Sequence, residues 1–259
     1  MNSVQYNFKI DQLRGAIQKT YGELACDTNK TFHFTKGRIL AERAGYEAKL
    51  LDLIPPESLE AFAGVGNPFS IKPLKAGITV VDIGSGAGTD SCVAALKVGN
   101  KGKVYGIDMT PEMIETSRAS VKKMSLENVV FIPGFAENLP LPDNHVDMVI
   151  SNGVINLCPD KSAVYKEIFR ILKPGGIIQI ADVFVDNEIS PYAKDLIHLW
   201  VDCVAGGMKR GDYESILKTV GFKNITIGKD MDVFKGALIE ERAARYGARG
   251  GHVYAEKSK

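Results

Sequence analysis

The sequence predicts an α/β fold built on a doubly wound, largely parallel sheet. Three observations carry this reading. Short β-branched runs alternate with helical patterns from residue 78 to residue 184. The runs at 80–83 and 146–150 are too apolar for strands with one face in water, so helices must cover both sides of the sheet. A turn with three alternating glycines, GSGAG, joins the first run to the first helix.

The elements follow in order. GITVVDIG is the first strand, and TDSCVAALKVG is a helix stopped at Gly99. KVYGID is the second strand. TPEMIETSRASVKKM is a helix with Thr110 as its N-cap and Pro111 in its first turn. NVVFIPG and VDMVISN are the third and fourth strands. DKSAVYKEIFRIL is an amphipathic helix ended by KPGG, and IIQIADVF is the fifth strand. Upstream, helical patterns at about 8–25, 36–43 and 47–53 are broken by Gly and Pro; residues 187–218 are again helical. FKNITIG and GGHVYAEK are closing strands. The expected organisation is an N-terminal helical cap at 1–70, a nucleotide-binding core at 71–186, a helical cap insertion at 187–218, and closing strands at 219–259.

Composition bounds the function. The chain has 259 residues, is 45% hydrophobic and 24% charged, and carries a net charge of +1. That balance gives no general affinity for nucleic acid or anionic membrane. No apolar run is long enough to span a bilayer, and the N-terminus has no signal-peptide pattern. The four cysteines, Cys26, Cys92, Cys158 and Cys203, are scattered without a CxxC pair. No disulfide framework or metal site is expected, and the reading is a cytoplasmic protein.

In an open α/β sheet the ligand sits at the carboxyl ends of the strands, where a glycine turn lets backbone and helix N–H groups approach it. The alternative is a tight turn with no ligand. A dinucleotide fingerprint needs glycine at its first, third and sixth positions, but here Gly84, Gly86 and Gly88 alternate and Thr89 follows. A phosphate-binding Walker loop fails because no Gly-Lys-Ser/Thr follows. Asp82 at the start of the turn disfavours a pyrophosphate and suits a ligand with a cationic amino-acid end. Asp108, closing the second strand 20 residues beyond Gly88, is placed to accept hydrogen bonds from two ribose hydroxyls. Ala136 and Glu137 fall where backbone amides can read an adenine edge.

DIGSGAG, GIDMTPEMIETSR, AENLPLPDN and RILKPGG, in this order and spacing, resemble the class I S-adenosylmethionine-dependent methyltransferases over residues 80–183. The resemblance implies a Rossmann-like, doubly wound, seven-stranded mixed sheet whose last strand is antiparallel, with helical cap segments. It implies S-adenosyl-L-methionine as cofactor. Asp82, Gly84, Ser85, Gly86 and Gly88 would hold the methionine end, Asp108 and Met109 the ribose and adenine, and Asn152 and Gly153 the methyl side. Phe135 stands where many members carry an acid, so an apolar wall would replace a hydrogen bond to the adenine amine.

GVGNPF, DIGSGAGTD, GIDMTPEM, ISNGVINLCPDK and CVAGG narrow the resemblance to the arsenite methyltransferase branch. That branch places arsenic(III) on cysteine thiolates, a soft metalloid on soft ligands. Two of its cysteine positions hold Val65 and Gly153 here, while Cys203 survives and Cys26 lies in the N-terminal segment. The acceptor is therefore expected to be a small organic molecule, methylated at C, N or O beneath the helical cap. A metalloid or thiol acceptor using Cys203 and Cys26 is the alternative, and a non-catalytic binder of the cofactor is the alternative of another class. No metal cofactor, nucleic acid or membrane partner is expected, and the state is a monomer or homodimer.

On the substrate side, His33 (in KTFHFTKGR), Tyr21 and Cys203 are the candidate catalytic residues. His33 is either a base or an aromatic plug; Tyr21 either flanks the methyl group or packs in the core. Cys92 reads as a core residue, Cys158 as structural, and His145 as a turn residue. His198 reads as part of a solvated charged face with Asp195 and Asp202. His252 has no partner discernible from sequence.

Overall fold

The computed structural model describes residues 6–28, 32 and 35–259. Among the described residues four helices come first: α1 (Ile10–Cys26), α2 (Gly37–Arg43), α3 (Ala48–Leu51) and α4 (Pro56–Leu59). The alternating region follows with β1 (Thr79–Ile83), α5 (Thr89–Val98), β2 (Lys103–Asp108), α6 (Pro111–Lys123), β3 (Val129–Pro133), β4 (Val146–Asn152), α7 (Lys161–Ile171) and β5 (Leu172–Phe184). Then come α8 (Pro191–Lys194), α9 (Ile197–Val201), α10 (Arg210–Val220), β6 (Phe222–Met231), α11 (Glu240–Tyr246) and β7 (Arg249–Lys257). Among the described residues no helix is long and apolar enough to cross a membrane.

The sheet has seven strands in the order β3-β2-β1-β4-β5-β7-β6. Pairings among β1 to β5 are parallel; β7 inserts antiparallel between β5 and β6. This is the seven-stranded mixed sheet expected from the resemblance. The order reverses between β1 and β4, so their carboxyl ends open a crevice there.

Successive residues of a strand point to opposite faces, and β1 uses both. Val81 and Ile83 pack with Val164 and Ile168 of α7 and Tyr213 and Leu217 of α10. Val80 packs on the other face with Ala94, Ala95 and Val98 of α5. Both faces are thus sealed by helices, the reason the runs read as apolar throughout.

Three local details differ from the sequence reading. KPGG does not stop before the fifth strand; it lies inside β5. Leu172 pairs with Val146, and a register shift before Met148 absorbs the extra residues, Gly175 taking φ +79°. The stretch 187–218 is not all cap, because α10 buries Tyr213 and Leu217, four apart on one face, in the sheet core. Thr110 sits at the N-cap by its backbone, yet its side chain makes no capping bond.

The remaining helices form a layer over the strand ends. Leu13 and Ile17 of α1 share an apolar cluster with Leu199 and Trp200 of α9 and Phe234 and Ala243 near and on α11. Trp200, 2% exposed, donates its indole N–H to the Lys194 carbonyl at 2.8 Å and receives the Tyr6 ring edge-on at 5.4 Å. Leu40, Leu51, Leu59 and Phe62 of the N-terminal segment pack with Cys92 and Val93 of α5. Cys92 is a buried core residue, as read from the sequence.

Candidate active site

A cavity enclosing about 1080 Å³ of empty space, including its open mouth, lies over the carboxyl ends of β1, β2 and β4. Its floor is the glycine turn. Its roof comes from Arg14, Ile17 and Tyr21 of α1 and from residues 61–64. Gln18 ties that roof down by donating to the Met109 carbonyl at 2.7 Å.

Asp82, Gly84, Ser85, Gly86, Asp108, Met109, Ala136, Glu137, Asn152 and Gly153 all line this cavity. Gly88 does not. It begins α5, where a Cβ would come within 3.0 Å of Phe131 and Ser117, so it serves helix–strand packing. Tyr21 lines the cavity as well. His33 lies outside the described residues.

The turn is built so that its backbone meets the cavity. Gly84 has φ +68°, and a Cβ there would strike Val154 Cγ2 at 2.2 Å. Gly86 has φ +52° with only Met113 Sδ, at 3.8 Å, near its missing Cβ. Both conformations disfavour other residues. The Gly86 N–H donates to Asp108 Oδ2 at 2.8 Å, and the Thr110 N–H donates to Asp108 Oδ1 at 2.8 Å. Asp108 therefore braces both the turn and the start of α6, the helix-entrance role the sequence had given to Thr110 alone.

A second network was missed by the sequence reading. Asp90, in the first turn of α5, accepts from the Tyr46 hydroxyl at 2.5 Å and from Asn152 Nδ2 at 3.0 Å. Asn152 Nδ2 also lies 3.0 Å from the Gly66 carbonyl, and its Oδ1 accepts from the Val65 N–H at 2.7 Å. Asp82 accepts from Ser91 Oγ at 2.7 Å. The available signal was Asp90's position: an acid two residues past the last glycine, in the first turn of a helix whose neighbouring residues through Leu96 are small or apolar.

Electrostatics separate the possible ligands. Burial pushes the Asp82, Asp90 and Asp108 carboxyls up, with Asp90 raised to about 6; the neighbouring Asp90 adds to the effect on Asp82. Among the described residues lining the cavity, Arg14 is the sole cation; it sits 3.4 Å from Glu137 and over the Phe135 ring at 4.4 Å. Phe135 thus forms a wall capped by a guanidinium. Ser85 Oγ is buried without a partner beside the turn. Uncompensated carboxylates, an unused hydroxyl and open space at Gly86 fit a cationic amino-acid end and reject a pyrophosphate. The residues therefore fit S-adenosylmethionine.

Two of the substrate-side positions, 65 and 153, adjoin and carry no thiol. A Cβ on Gly153 would stand 3.4 Å from Val65 Cγ1. Val65 lines a small second void with Leu40, Gly64, Cys203, Val233 and Phe234. Cys203 thus flanks the roof and does not line the main cavity. Its Sγ is 3.7 Å from the Tyr21 hydroxyl, and burial pushes its thiol up to about 12. Cys26 is exposed at the end of α1 and lines neither space. Cys158 reaches the cavity edge, its Sγ facing the Val154 carbonyl at 3.6 Å.

Among the described residues, His145, His198 and His252 do not line the cavity. His145 Nε2 lies 3.4 Å from the Tyr105 hydroxyl. His252 Nε2 accepts from the Asn67 N–H at 3.3 Å, a partner the sequence did not reveal. The acids expected beside His198 are engaged elsewhere, Asp195 by Asn7 and Asp202 by Arg242. Among the described residues no cluster of three or more His, Cys, Asp or Glu side chains forms a metal site.

Comparison with known proteins gives this geometry a lineage. A family described as a methyltransferase domain matches residues 74–221, more than half of the 259-residue chain. An arsenite methyltransferase of Halobacterium salinarum is 39% identical over 72% of this chain and 48% of its own length. A demethylmenaquinone methyltransferase of Listeria welshimeri is 36% identical over 43% of this chain and 47% of its own. The crystal structure of an arsenic(III) S-adenosylmethionine methyltransferase from Chlamydomonas reinhardtii superposes with a TM-score of 0.64 at 31% identity, covering 87% of this chain and 74% of that one. The chain spans about half the length of the curated relatives it matches. By sequence, sheet order and the turn over β1, it belongs to the class I S-adenosylmethionine-dependent methyltransferases, in the group that includes the arsenite branch.

Proposed function

We propose that this protein transfers a methyl group from S-adenosylmethionine to a small organic acceptor held beneath its helical layer. One observation carries the choice of acceptor. Val65 adjoins the Gly153 position and shares a small void with Cys203, and only Cys203 among the three bears a thiol. Val65 and Gly153 supply no ligand atom, so a three-thiolate arsenic site has no third or second sulfur there. The demethylmenaquinone relative acts, by its name, on an organic acceptor, which supports the reading.

When bound, the cofactor supplies an activated methyl on sulfur. This chain's residues supply binding, orientation and exclusion of water. In this reading Asp82, Ser85 and Asp90 receive the amino-acid end, and Asp108 with Met109 the ribose and adenine. Ala136 and Glu137 edge the base, while Asn152 and Gly153 flank the methyl side. Tyr21, on the cavity roof and backed by Cys203, supplies a hydroxyl to the acceptor side. Residues 1–70 and the part of 187–218 that precedes α10 act as the cap.

The test is turnover. Purified protein is supplied with S-adenosylmethionine and either arsenite or a panel of phenolic, amine and enolic acceptors, and adenosylhomocysteine is counted. Acceptor-dependent product from the organic panel is the expected result. Arsenite-dependent turnover abolished by Cys203→Ser would replace this reading with the metalloid one. Binding without turnover on any acceptor would favour a non-catalytic binder.

A further inference from the structure

Asp90 is a cavity carboxylate whose hydrogen-bond donors come partly from outside the sheet core. Tyr46, between α2 and α3, is buried beneath Phe62 and Phe69, whose rings meet it edge-on at 5.4 and 5.9 Å. Its hydroxyl donates to Asp90 Oδ1, and Asn152 Nδ2 approaches both that hydroxyl, at 3.2 Å, and Asp90 Oδ2, at 3.0 Å. One residue earlier, Thr89 Oγ1 donates to the Ser58 carbonyl at 3.0 Å. Asn152 meanwhile holds Val65 and Gly66. Four points of the N-terminal segment therefore attach to Thr89, Asp90 and Asn152, all three of which line the cavity.

We propose that Tyr46 is a positioning residue for the cofactor: from the N-terminal segment it fixes the Asp90 carboxylate at the cavity wall in the form that receives a cationic ligand, so docking of that segment and cofactor binding are coupled. The inference rests on the S-adenosylmethionine reading above and adds to it the residue that sets its charge dependence.

The groups facing Asp90 decide the sign. Asp82 of β1 is a like charge, itself influenced by Asp108 of β2. Cys92 lies on the same helix and is a neutral thiol, its pKa raised by burial. From β4 comes the neutral amide of Asn152, and from the N-terminal segment the Tyr46 hydroxyl. Among the described residues no lysine, arginine or histidine forms an ion pair with Asp90. Burial pushes Asp90 up to about 6, and the bonds from Tyr46 and Asn152 oppose that push. Removing the Tyr46 hydroxyl deletes a donor to the charged form, so the carboxyl holds its proton to higher pH. A cation then meets a neutral acid over a wider range.

The experiment is calorimetric titration of S-adenosylmethionine into the wild type, Tyr46→Phe and Asp90→Asn from pH 5.5 to 9. For the wild type, affinity should fall as pH drops through about 6. For Tyr46→Phe the fall should begin about one pH unit higher, giving a loss of about twofold at pH 7 that grows to about eightfold at pH 5.5 and vanishes at pH 9. Convergence at pH 9 also shows the variant is folded. Asp90→Asn should bind weakly with that titration gone. A Tyr46→Phe curve identical to wild type, or lower by one factor at every pH, overturns the inference. Failure of the wild type to bind at any pH would instead overturn the cofactor reading.

Discussion

Two neighbouring glycines should respond in opposite ways to the same methyl group. In Gly84→Ala the new Cβ lies 2.2 Å from Val154 Cγ2 and 2.6 Å from Cγ1, at a φ of +68°. Left-handed backbone costs a non-glycine residue roughly 1–2 kcal/mol. Forcing Val154 aside adds roughly 1–3 kcal/mol of overpacking. The sum, roughly 2–5 kcal/mol, corresponds to a fall in Tm of about 5–15 °C for a chain of this size. In Gly86→Ala the nearest atom to the Cβ is Met113 Sδ at 3.8 Å, so only the backbone cost, roughly 1–2 kcal/mol, remains. Its methyl group instead occupies the cavity floor, and S-adenosylmethionine affinity should drop about tenfold or more, the equivalent of roughly 1.4 kcal/mol. Thermal melts without ligand and titration with it measure the two effects separately. A Gly84→Ala melt equal to wild type, or a Gly86→Ala variant that binds normally, would refute the assignment of which glycine packs and which faces the ligand.

Asp108→Ala leaves the Gly86 and Thr110 amides without their acceptor and removes the ribose partner; cofactor affinity should fall at least tenfold, and unchanged affinity by titration would show the site is misplaced. Lys161 is buried, its amine donating to the Asn156 and Cys158 carbonyls, and burial lowers it from 10.5 to about 8. Between those two pH values the unfolded chain holds more protons than the folded one, so Lys161 makes stability rise with pH by roughly 3 kcal/mol across that window. Denaturant midpoints for wild type and Lys161→Met at pH 7.5 and 10 check this; equal slopes would sink it. Cys203→Ser should leave turnover of an organic acceptor within a few-fold, since Cys203 touches Tyr21 from outside the main cavity; loss of arsenite-dependent turnover in the same variant would point to the metalloid instead.

Much of the cavity lining was legible because it depends on local constraints. The turn after β1 needs residues that tolerate left-handed backbone, and Gly84 and Gly86 announce it. Asp108 closes a strand, and its spacing of 20 residues beyond Gly88 pointed to the strand end beside the turn. The long-range partners were hidden. Tyr46 and Asp90 are 44 residues apart and meet only when α5 docks on the N-terminal segment. Tyr21 and Cys203 are 182 residues apart. Arg14 entered the cavity because α1 folds across it, and nothing in the helical pattern of 8–25 distinguishes the face that does so.

By itself the sequence determined the alternation of strands and helices, the glycine turn and the acid one strand over, because these follow from backbone sterics and from the burial of apolar runs within a few residues. Tertiary structure alone decided that β7 lies between β5 and β6, that α10 joins the sheet core while α9 packs with α1, and that Val65 adjoins the Gly153 position on one side and the void reached by Cys203 on the other. Those outcomes depend on which faces pack across large sequence separations, where burial energy selects among partners that local pattern leaves equivalent.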